Sequence, residues 1–332
     1  MAVDFLTPAY LETIVAEADK EKKYETPVLN MFFKRTKSAP EGFVKVPKEV
    51  FNYDDILPLL QRGAAIEASE LNTARKYVNY ELRLFGDMKI LKPKDIKDMV
   101  QQLQGLTGVT YAKKKVELAN SIVGEFNNKV NATREFMAAS ALLGSITDKD
   151  GNVIETFDIP NANKLGNQDV SGGTVKVYQL IRAMAKQMRK STKYAGRVGI
   201  LIGEAAYEKI QDTEEFQNWA SSPANNLTAE DILMGVEGYM GNKRYPFLLA
   251  DDFYYKAGSQ VNFFNEDTIL MAPVDAFAEF YASIETNDGN FSKLKHIDTF
   301  KQWNPDGTAY RLQSAAMPIV TLPNAIVSAI VQ

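Results

Sequence analysis

A long apolar stripe between Tyr111 and Leu143 constrains the fold of this chain more than any other feature of its sequence. Apolar side chains recur there at steps of three and four residues, which is the period of one face of an α-helix. The stripe consists of Val116, Ala119, Val123, Phe126, Val130, Met137 and Ala141. At about 1.5 Å per residue such a helix spans on the order of 50 Å, so we expect it to run along a whole edge of the subunit.

The predicted helix is followed by the sequence DKDG at 148–151, which fits either a calcium loop or a tight turn. An EF-hand loop requires an oxygen ligand at its first position and a glutamate at its twelfth. With Gly151 as the sixth position, these places fall on Ile146 and Phe157, which argues against calcium. Asp-Gly between two strand-like runs instead predicts a β-hairpin directly after the long helix.

Residues 41–92 are predicted to form a long β-hairpin with a polar tip at 69–76. Its strands are expected near 56–66 and 77–91, and in the second of these apolar and polar side chains alternate. Two strands alone are marginally stable in water, and the neighbouring sequence offers no helix to cover them. We therefore expect another molecule to cover this hairpin.

The rest of the chain predicts an N-terminal arm and a mixed lobe. Thr26-Pro27, within an arm at 1–40, has the pattern of a helix start, with Thr as the cap. Helix and strand patterns alternate after Thr174, which indicates an α+β or α/β lobe. Prolines divide the apolar segment 314–332 into short pieces rich in Val and Ile, so two buried strands are expected there instead of a membrane anchor.

Individual elements of the mixed lobe can also be predicted from these patterns. Helices are expected at 175–191, 204–220 and 229–240, and strands at 197–203, 245–255, 267–273 and 276–285.

The composition excludes several kinds of chemistry. The 332 residues include no cysteine, so disulfides, thiolate nucleophiles, iron–sulfur clusters and cysteine zinc sites are absent. The net charge of −4 provides no bulk attraction to nucleic acid or to an anionic membrane. His296 is the only histidine, so a histidine zinc site cannot form, and no phosphate-loop or nucleophile-elbow motif occurs.

Four charged clusters remain as candidates for chemistry, and each has a simpler explanation. The acidic pairs at 54–55 and 251–252 are candidates for acid–base work or metal binding. Neighbouring residues on a strand point to opposite faces, however, so solvated loop acids are favoured. The basic runs at 112–115 and 186–193 are expected near helix ends, the second near a C-terminus where cations interact favourably with the helix dipole. No catalytic, cofactor-binding or metal-binding residue is predicted.

Five stretches of the chain occur in an order typical of one family of structural proteins. They are TPVLNMFFKR at 26–35, RGAAIEASELNTARKYVNYELRLFGDMKILKPK at 62–94, REFMAASALLGSI at 134–146, RVGILIGEAAYEKI at 197–210 and QWNPDGTAYRLQSAAMPIVTLPNAIVSAIV at 302–331. They resemble, in that order, the arm, the extended loop, the end of the spine helix, the entry into the axial lobe and the closing segment of the lambda-type major capsid protein E family of tailed phages. The last stretch is the most specific, and the resemblance covers essentially the whole chain.

The resemblance implies an α+β fold, the tailed-phage capsid fold that is also called Hong Kong 97-like. The expected parts are an N-terminal arm at 1–40, an extended β-hairpin loop at 41–92, a peripheral domain with a long spine helix and a β-hairpin at 93–173, an axial domain at 174–272, and return strands of the peripheral domain at 273–332.

The resemblance also implies a function. The chain would be a non-enzymatic major capsid protein that self-assembles into hexamers and pentamers of an icosahedral phage head enclosing double-stranded DNA, without sequence-specific binding. Scaffolding, decoration and portal proteins are candidate partners, no membrane or cofactor is implied, and the expected locations are the virion and, during assembly, the host cytoplasm. The extended loop would lie over a neighbouring subunit, and its expected interface residues are Ser69, Glu70, Leu71, Asn72, Arg75, Lys76, Tyr80, Leu82 and Leu84.

Three other interpretations are compatible with the sequence. An encapsulin-like compartment would keep the fold but enclose enzymes in place of a genome. An enzyme with an α/β core and an extended lid is disfavoured by the single histidine, the absent cysteine and the missing phosphate loops. A tail or portal component would form rings or tubes instead of closed shells.

Overall fold

A computed structural model describes nine segments of the chain. They are residues 25–33, 35–48, 76–192, 196–220, 246–256, 259–286, 289–291, 294–303 and 306–332. Their helices are α1 (Pro27–Phe32), α2 (Pro93–Leu103), α3 (Gly108–Leu142), α4 (Val177–Thr192), α5 (Glu204–Gln211) and α6 (Glu214–Ala220).

The strands of the described segments are short and numerous. They are β1 (Arg35–Ser38), β2 (Phe43–Lys48), β3 (Lys76–Glu81), β4 (Phe85–Leu91), β5 (Ser145–Thr147), β6 (Val153–Thr156), β7 (Lys164–Gln168), β8 (Val198–Gly203), β9 (Phe247–Ala250), β10 (Phe253–Lys256), β11 (Ser259–Asn262), β12 (Thr268–Pro273), β13 (Ala278–Tyr281), β14 (Ile284–Thr286), β15 (Gly289–Phe291), β16 (His296–Trp303), β17 (Asp306–Ser314), β18 (Ala316–Ile319) and β19 (Val327–Val331).

The predicted long helix is confirmed as α3, which has 35 residues. It is followed closely by Gly144, whose φ of +106° is a backbone conformation that glycine adopts easily and other residues do not. The chain can therefore turn sharply from the end of α3 into the hairpin of β5 and β6.

The β5–β6 hairpin is also confirmed, and its turn uses the carboxylate of Asp148 internally. Asp148 Oδ1 accepts hydrogen bonds from the backbone N–H groups of Asp150 and Asn152, both at 2.8 Å. Gly151 has a φ of +89°, as an Asp-Gly turn requires. The DKDG sequence thus serves as a turn.

The mixed lobe is built on a five-stranded sheet with the order β7-β19-β12-β8-β9. Both β8 and β12 are buried along their whole length, because helices cover one face of the sheet and the rest of the subunit covers the other. On the helix-covered face, Leu180 and Met184 of α4 and Tyr207 of α5 pack with Ile200 of β8. This cluster forms the core of the lobe.

A second core surrounds the C-terminal half of α3. It joins Phe32 of α1, Leu142 of α3, Phe277 and Ile319, all of which are buried completely. Here β1 pairs in parallel with β13, and β13 pairs with β18. The arm segment from α1 to β1 is therefore an integral part of this core.

The strand predicted at 77–91 is two strands with different partners. β3 pairs with β2, whereas β4 pairs with β17 in a sheet of order β16-β17-β4. Gly86 permits the second pairing, because a Cβ there would lie 2.4 Å from the carbonyl oxygen of Leu312. The strand predicted at 56–66 lies outside the described residues, as does the helix predicted at 229–240.

Three further predicted elements are divided in the structure, and the strand at 276–285 is one of them, since it forms β13 and the start of β14. The helix at 204–220 is broken before α6, where Thr213 Oγ1 donates to the carbonyl of Ile210 at 2.7 Å and accepts from the N–H of Phe216 at 3.2 Å. This local capping by Thr213 ends one helix and starts the next. The strand at 245–255 is interrupted at 251–252, since β9 pairs with β8 and β10 with β11.

The two strands expected in the segment 314–332 are confirmed as β18 and β19. The assignment of all of 273–332 to the peripheral domain is wrong for β19, which lies between β7 and β12 in the five-stranded sheet. Its inward side chains, including Val327 and Val331, complete the core of the mixed lobe. No helix of the described segments is long and apolar enough to cross a membrane.

Candidate assembly surfaces

The charged clusters considered above form no metal site in the described part of the chain, and the acidic pair at 54–55 lies outside it. Within it, no group of three or more His, Asp or Glu side chains is arranged to hold a metal ion. His296 is buried in β16. Asp251 and Asp252 lie in the connection between β9 and β10. The features that can be related to function are therefore the surfaces of the subunit and the contacts that hold its parts together.

The β2–β3 pair forms a two-stranded ribbon at the base of the predicted extended loop, and its two faces differ. Val44, Val46 and Tyr80 are buried on the inner face. On the outer face, Phe43 is 57% exposed and Tyr77 is 56% exposed. Large apolar side chains on an open strand face are unusual for a surface that meets only water, and they are typical of contact surfaces.

The predicted interface residues fall into three groups. Tyr80 and Leu82 are buried, at 6% and 7% exposure, and the ring of Tyr80 lies 5.4 Å from that of Phe157. These two residues therefore hold the ribbon on its own subunit, contrary to the expectation of an intersubunit contact. Leu84 is 54% exposed, and Lys76 begins β3. The remaining predicted residues, Ser69, Glu70, Leu71, Asn72 and Arg75, lie outside the described residues.

Phe43 and Tyr77 are not among the contact residues that the sequence predicted. A signal was present for Tyr77, which shares its strand face with Asn79 and Glu81 in the two-residue alternation. A large aromatic residue on an otherwise polar face calls for a functional explanation. No comparable signal existed for Phe43, because its pairing with Glu81 could not be inferred without the structure.

An apolar pocket of about 420 Å³ lies between α3, the β5–β6 hairpin, β10 and the segment after β3. Phe136 of α3 forms its aromatic wall, with ring centroids 5.3 Å from Tyr254 and 5.5 Å from Phe263. The exposed Leu84 is part of its lining. The pocket therefore adjoins the segment by which the chain leaves the ribbon.

A buried carboxylate on α3 binds the arm. The backbone N–H of Val28 donates to Glu135 Oε1 at 2.6 Å, and that of Leu29 donates to Glu135 Oε2 at 3.1 Å. Pro27 occupies the first turn of α1 as predicted, but the side chain of Thr26 makes no capping hydrogen bond. The cap predicted for Thr26 is therefore supplied by Glu135, a residue far away in the sequence.

The pKa of Glu135 is strongly raised by this environment. Burial is the largest cause and raises the pKa to about 8, with Asp252 adding to the effect. The two backbone N–H groups and Arg134 act in the opposite direction but do not cancel it. The ionised form is therefore the less favourable one in the folded subunit.

The neighbouring residue, Arg134, connects α3 to β13. Its Nε and Nη2 atoms donate to the two carboxylate oxygens of Glu279 at 2.7 Å and 2.6 Å. Glu279 is only 2% exposed, so this bidentate ion pair neutralises a buried charge. Consecutive residues of α3 thus hold the arm helix and the strand with which the arm pairs.

Exposed ion pairs fix β4 against α3. Lys129 binds both Asp87, at 2.8 Å, and Glu125, at 2.9 Å, while Lys89 binds Glu125 at 3.2 Å. Burial alone would raise the pKa of Asp87, but the hydrogen bond from Lys129 and that from the N–H of Met88 lower it overall. The exit of the loop is thereby tied to the long helix.

These parts define a class of protein. The described α+β arrangement, with the buried helix α1, the two-stranded ribbon, a long helix with a terminal hairpin and a lobe on a five-stranded sheet, is the Hong Kong 97-like capsid fold. The chain is similar to the structure of the putative capsid protein of a prophage of E. coli CFT073, with a TM-score of 0.65 and 12% identity over 98% of this chain and 99% of that one. It is also similar to a phage-related protein from Bordetella bronchiseptica RB50, with a TM-score of 0.55 and 8% identity over 96% of each chain.

The family follows from the sequence match. Residues 12–331 match the family described as phage major capsid protein E, and the chain belongs to this family. It is a phage major capsid protein, a structural component of the virion capsid. No curated protein matches the chain.

A weaker structural similarity is to an encapsulin. The holo-SrpI encapsulin complex from Synechococcus elongatus PCC 7942 has a TM-score of 0.46 and 10% identity over 89% of this chain and 84% of that one. A similarity at that level does not indicate what a shell encloses, whereas the family match supports the capsid interpretation.

Proposed function

We propose that copies of this chain assemble into hexamers and pentamers, which close an icosahedral phage head around double-stranded DNA. The observation that carries this proposal is the match of residues 12–331 to the major capsid protein E family. The net charge of −4 suits a container that holds DNA without binding it tightly or reading its sequence. Assembly would take place in the host cytoplasm, and the protein would act structurally and not as an enzyme.

The extended loop is proposed to supply the main contact between neighbouring subunits. The ribbon is held at its base by the buried Tyr80 and Leu82, while Phe43 and Tyr77 stay exposed. A rigid base with an exposed apolar face suits an element that reaches over the next subunit. We keep Leu84 and the tip at 69–76 as proposed contact residues.

The mixed lobe is proposed to meet its symmetry mates around each capsomer. In view of the sheet order, this axial lobe would combine residues 174–272 with β7 and β19. The peripheral part would contain α3, the β5–β6 hairpin and the strands around β13 and β17. Scaffolding, decoration and portal proteins are proposed as further partners because a closed head requires size control and a DNA entrance.

Deletion of the loop tip tests this function. We expect a chain that lacks 69–76 to fold, because the buried inner face of the ribbon is retained, and to fail to form closed shells. Negative-stain electron microscopy gives the assembly result, and the melting temperature compared with that of the unaltered chain gives the folding control. Shells of normal number and size from the deletion variant would contradict the proposed role of the loop.

A further inference from the structure

The outward face of α4 carries a strip of exposed positive charge. Its buried side chains, Val177, Leu180, Met184 and Met188, lie on one face of the helix. Its exposed cations lie on the opposite face, at spacings of four, three and one residues, and the helix contains no acidic residue. This basic strip consists of Arg182, Lys186, Arg189 and Lys190.

The helices α5 and α6 carry a complementary strip of negative charge. Three exposed carboxylates follow each other at four-residue steps along α5 and its C-terminal end, which places them on one side of the helix. A fourth lies at the start of α6. This acidic strip consists of Glu204, Glu208, Asp212 and Glu214.

Within the part of the chain that the structure describes, neither strip is neutralised by its own subunit. The ion pairs of the described residues include none of these eight side chains. Helix dipoles account for the charges at helix ends, such as Arg189 and Glu204, but not for Arg182, Lys186 and Glu208. Like charges four residues apart on a helix destabilise it, so each strip costs the isolated subunit some stability.

The two strips belong to the same layer of the axial lobe. α4 packs against β19, and α5 packs against β8, β9 and β19, so both helices lie on one face of the five-stranded sheet and α5 extends to its β9 edge. A subunit that presents opposite charges at two separate places can bind a second copy head to tail. When the rotation between copies closes, such a heterologous contact forms a ring.

We propose that the basic strip of one subunit contacts the acidic strip of the next subunit around each capsomer. This inference rests on the proposed function, since it takes the rings to be the hexamers and pentamers of the shell. The occupant is a second copy of this chain, because the same chain carries both halves of the charge pattern. Electrostatic complementarity of this kind fixes the register and the order of subunits more than it adds affinity.

Charge reversal tests the contact directly. The first variant, Arg182→Glu with Lys186→Glu, places two carboxylates opposite the acidic strip and brings the net charge of the basic strip to zero. The second, Glu208→Lys with Asp212→Lys, places two ammonium groups opposite the basic strip and brings the net charge of the acidic strip to zero. Each variant alone brings like charges together at every interface, so we expect at least about a tenfold loss of assembled rings. Lys94→Glu with Lys97→Glu, on the exposed side of α2, is the matched control and is expected to assemble normally.

A mixture of the two variants gives the most specific readout. In an alternating ring the reversed side chains of one variant meet only those of the other, so opposite charges face each other again at every interface. Alternation requires an even number of subunits. We therefore expect the mixture to regain hexamers and not pentamers, and to form open or tubular assemblies instead of closed shells. In a chain with all four reversals the reversed side chains of one copy meet those of the next with opposite charge, and we expect it to assemble alone.

The outcomes separate this contact from the proposed function. Variants that assemble as well as the unaltered chain, or a mixture that fails to regain rings while each variant is folded by circular dichroism, would overturn the contact. A variant that assembles normally but loses affinity for a double-stranded DNA fragment would assign the basic strip to DNA and also overturn it. If the unaltered chain forms no closed shells, the proposed function fails, whereas association of the two variants in dilute solution, measured by sedimentation, still decides the contact.

Discussion

Glu135 of α3 accepts a hydrogen bond of 2.6 Å from the backbone N–H of Val28, the second residue of α1. One buried carboxylate thereby caps a helix that lies 107 positions earlier in the chain. A six-residue helix is too short to be stable alone, so α1 depends on this cap and on the burial of Phe32. The arm and the long helix consequently behave as one structural unit.

The stability of this unit is expected to depend on pH through Glu135. Its pKa is about 8 in the folded subunit against an ordinary value of 4.5, so the stabilisation is fully present below the ordinary value and is lost as the pH rises through about 8. We expect the free energy of unfolding to fall by a few kcal/mol between about pH 5 and pH 9. Each rise of one pH unit between the two pKa values removes about 1.4 kcal/mol. Glu135→Gln resembles the protonated form and is expected to remove most of this dependence.

Urea unfolding of both chains at several pH values measures this effect. Glu117→Gln is a suitable control, because that side chain is 68% exposed on the same helix and should leave the dependence unchanged. Parallel pH curves for the unaltered chain and Glu135→Gln would contradict the account of the buried cap.

The ion pair of Arg134 with Glu279 leads to a second prediction. Arg134→Met leaves the carboxylate of Glu279 buried without its partner, and we expect a loss of about 3–5 kcal/mol in the free energy of unfolding. The double change Arg134→Met with Glu279→Met removes both charges and should recover most of that loss. Chemical denaturation gives the values, and Lys114→Met, in an exposed pair, should cost less than about 1 kcal/mol. A double variant as unstable as Arg134→Met alone would contradict the account, because removing the unpaired carboxylate of Glu279 should relieve the loss.

The two faces of the ribbon are expected to respond differently to mutation. Phe43→Ser with Tyr77→Ser changes only exposed side chains, so the melting temperature should stay nearly the same while assembly, followed by light scattering, is impaired. Tyr80→Ala on the inner face should instead destabilise the subunit by about 3–5 kcal/mol. Val153→Ser, at a residue that is 61% exposed on the β5–β6 hairpin, is the control for the loss of an exposed apolar side chain. Normal assembly of the Phe43 and Tyr77 variant would remove the outer face from the proposed contact.

Two glycines should differ sharply in their tolerance of alanine. A Cβ at Gly203, at the end of β8, would lie 2.3 Å from the carbonyl oxygen of Asn265, so Gly203→Ala forces the backbone apart. A Cβ at Gly124, inside α3, meets nothing within 4 Å, and Gly124→Ala should stabilise the helix by about 0.5–1 kcal/mol. Thermal unfolding of the two variants checks the contrast, which a stable Gly203→Ala protein would contradict.

Local patterns predicted the elements of the fold well where a periodic pattern continued over many residues or where the turn signal was strong. The stripe that includes Val123 and Phe126 predicted α3, and Asp-Gly at 150–151 predicted the β5–β6 turn. The predicted strand boundaries were wrong where pairing with a strand far away in the sequence determines them. The alternation that includes Tyr80 and Leu82 could not show that the following strand, β4, leaves the ribbon and pairs with β17.

The candidate surfaces were less predictable than the fold, because burial depends on residues far away in the sequence. The same alternation that marked Tyr80 and Leu82 as apolar could not show that their own subunit covers them. The role of Glu135 was equally hidden, since a single glutamate in a helix ordinarily faces solvent. Glu135 directly follows Arg134 in a stretch rich in small residues, and nothing in this stretch indicates the arm helix that Glu135 caps.

The central claim is that this chain functions by assembling with identical copies. Electron microscopy of the purified, unaltered protein, over a range of concentrations and with the mass of the particles measured in parallel, tests it most directly. We predict closed shells of uniform size, with six-membered and five-membered rings visible in class averages. A protein that stays monomeric at every concentration, with the region 41–92 ordered and shielded from solvent in the single subunit, would contradict the claim.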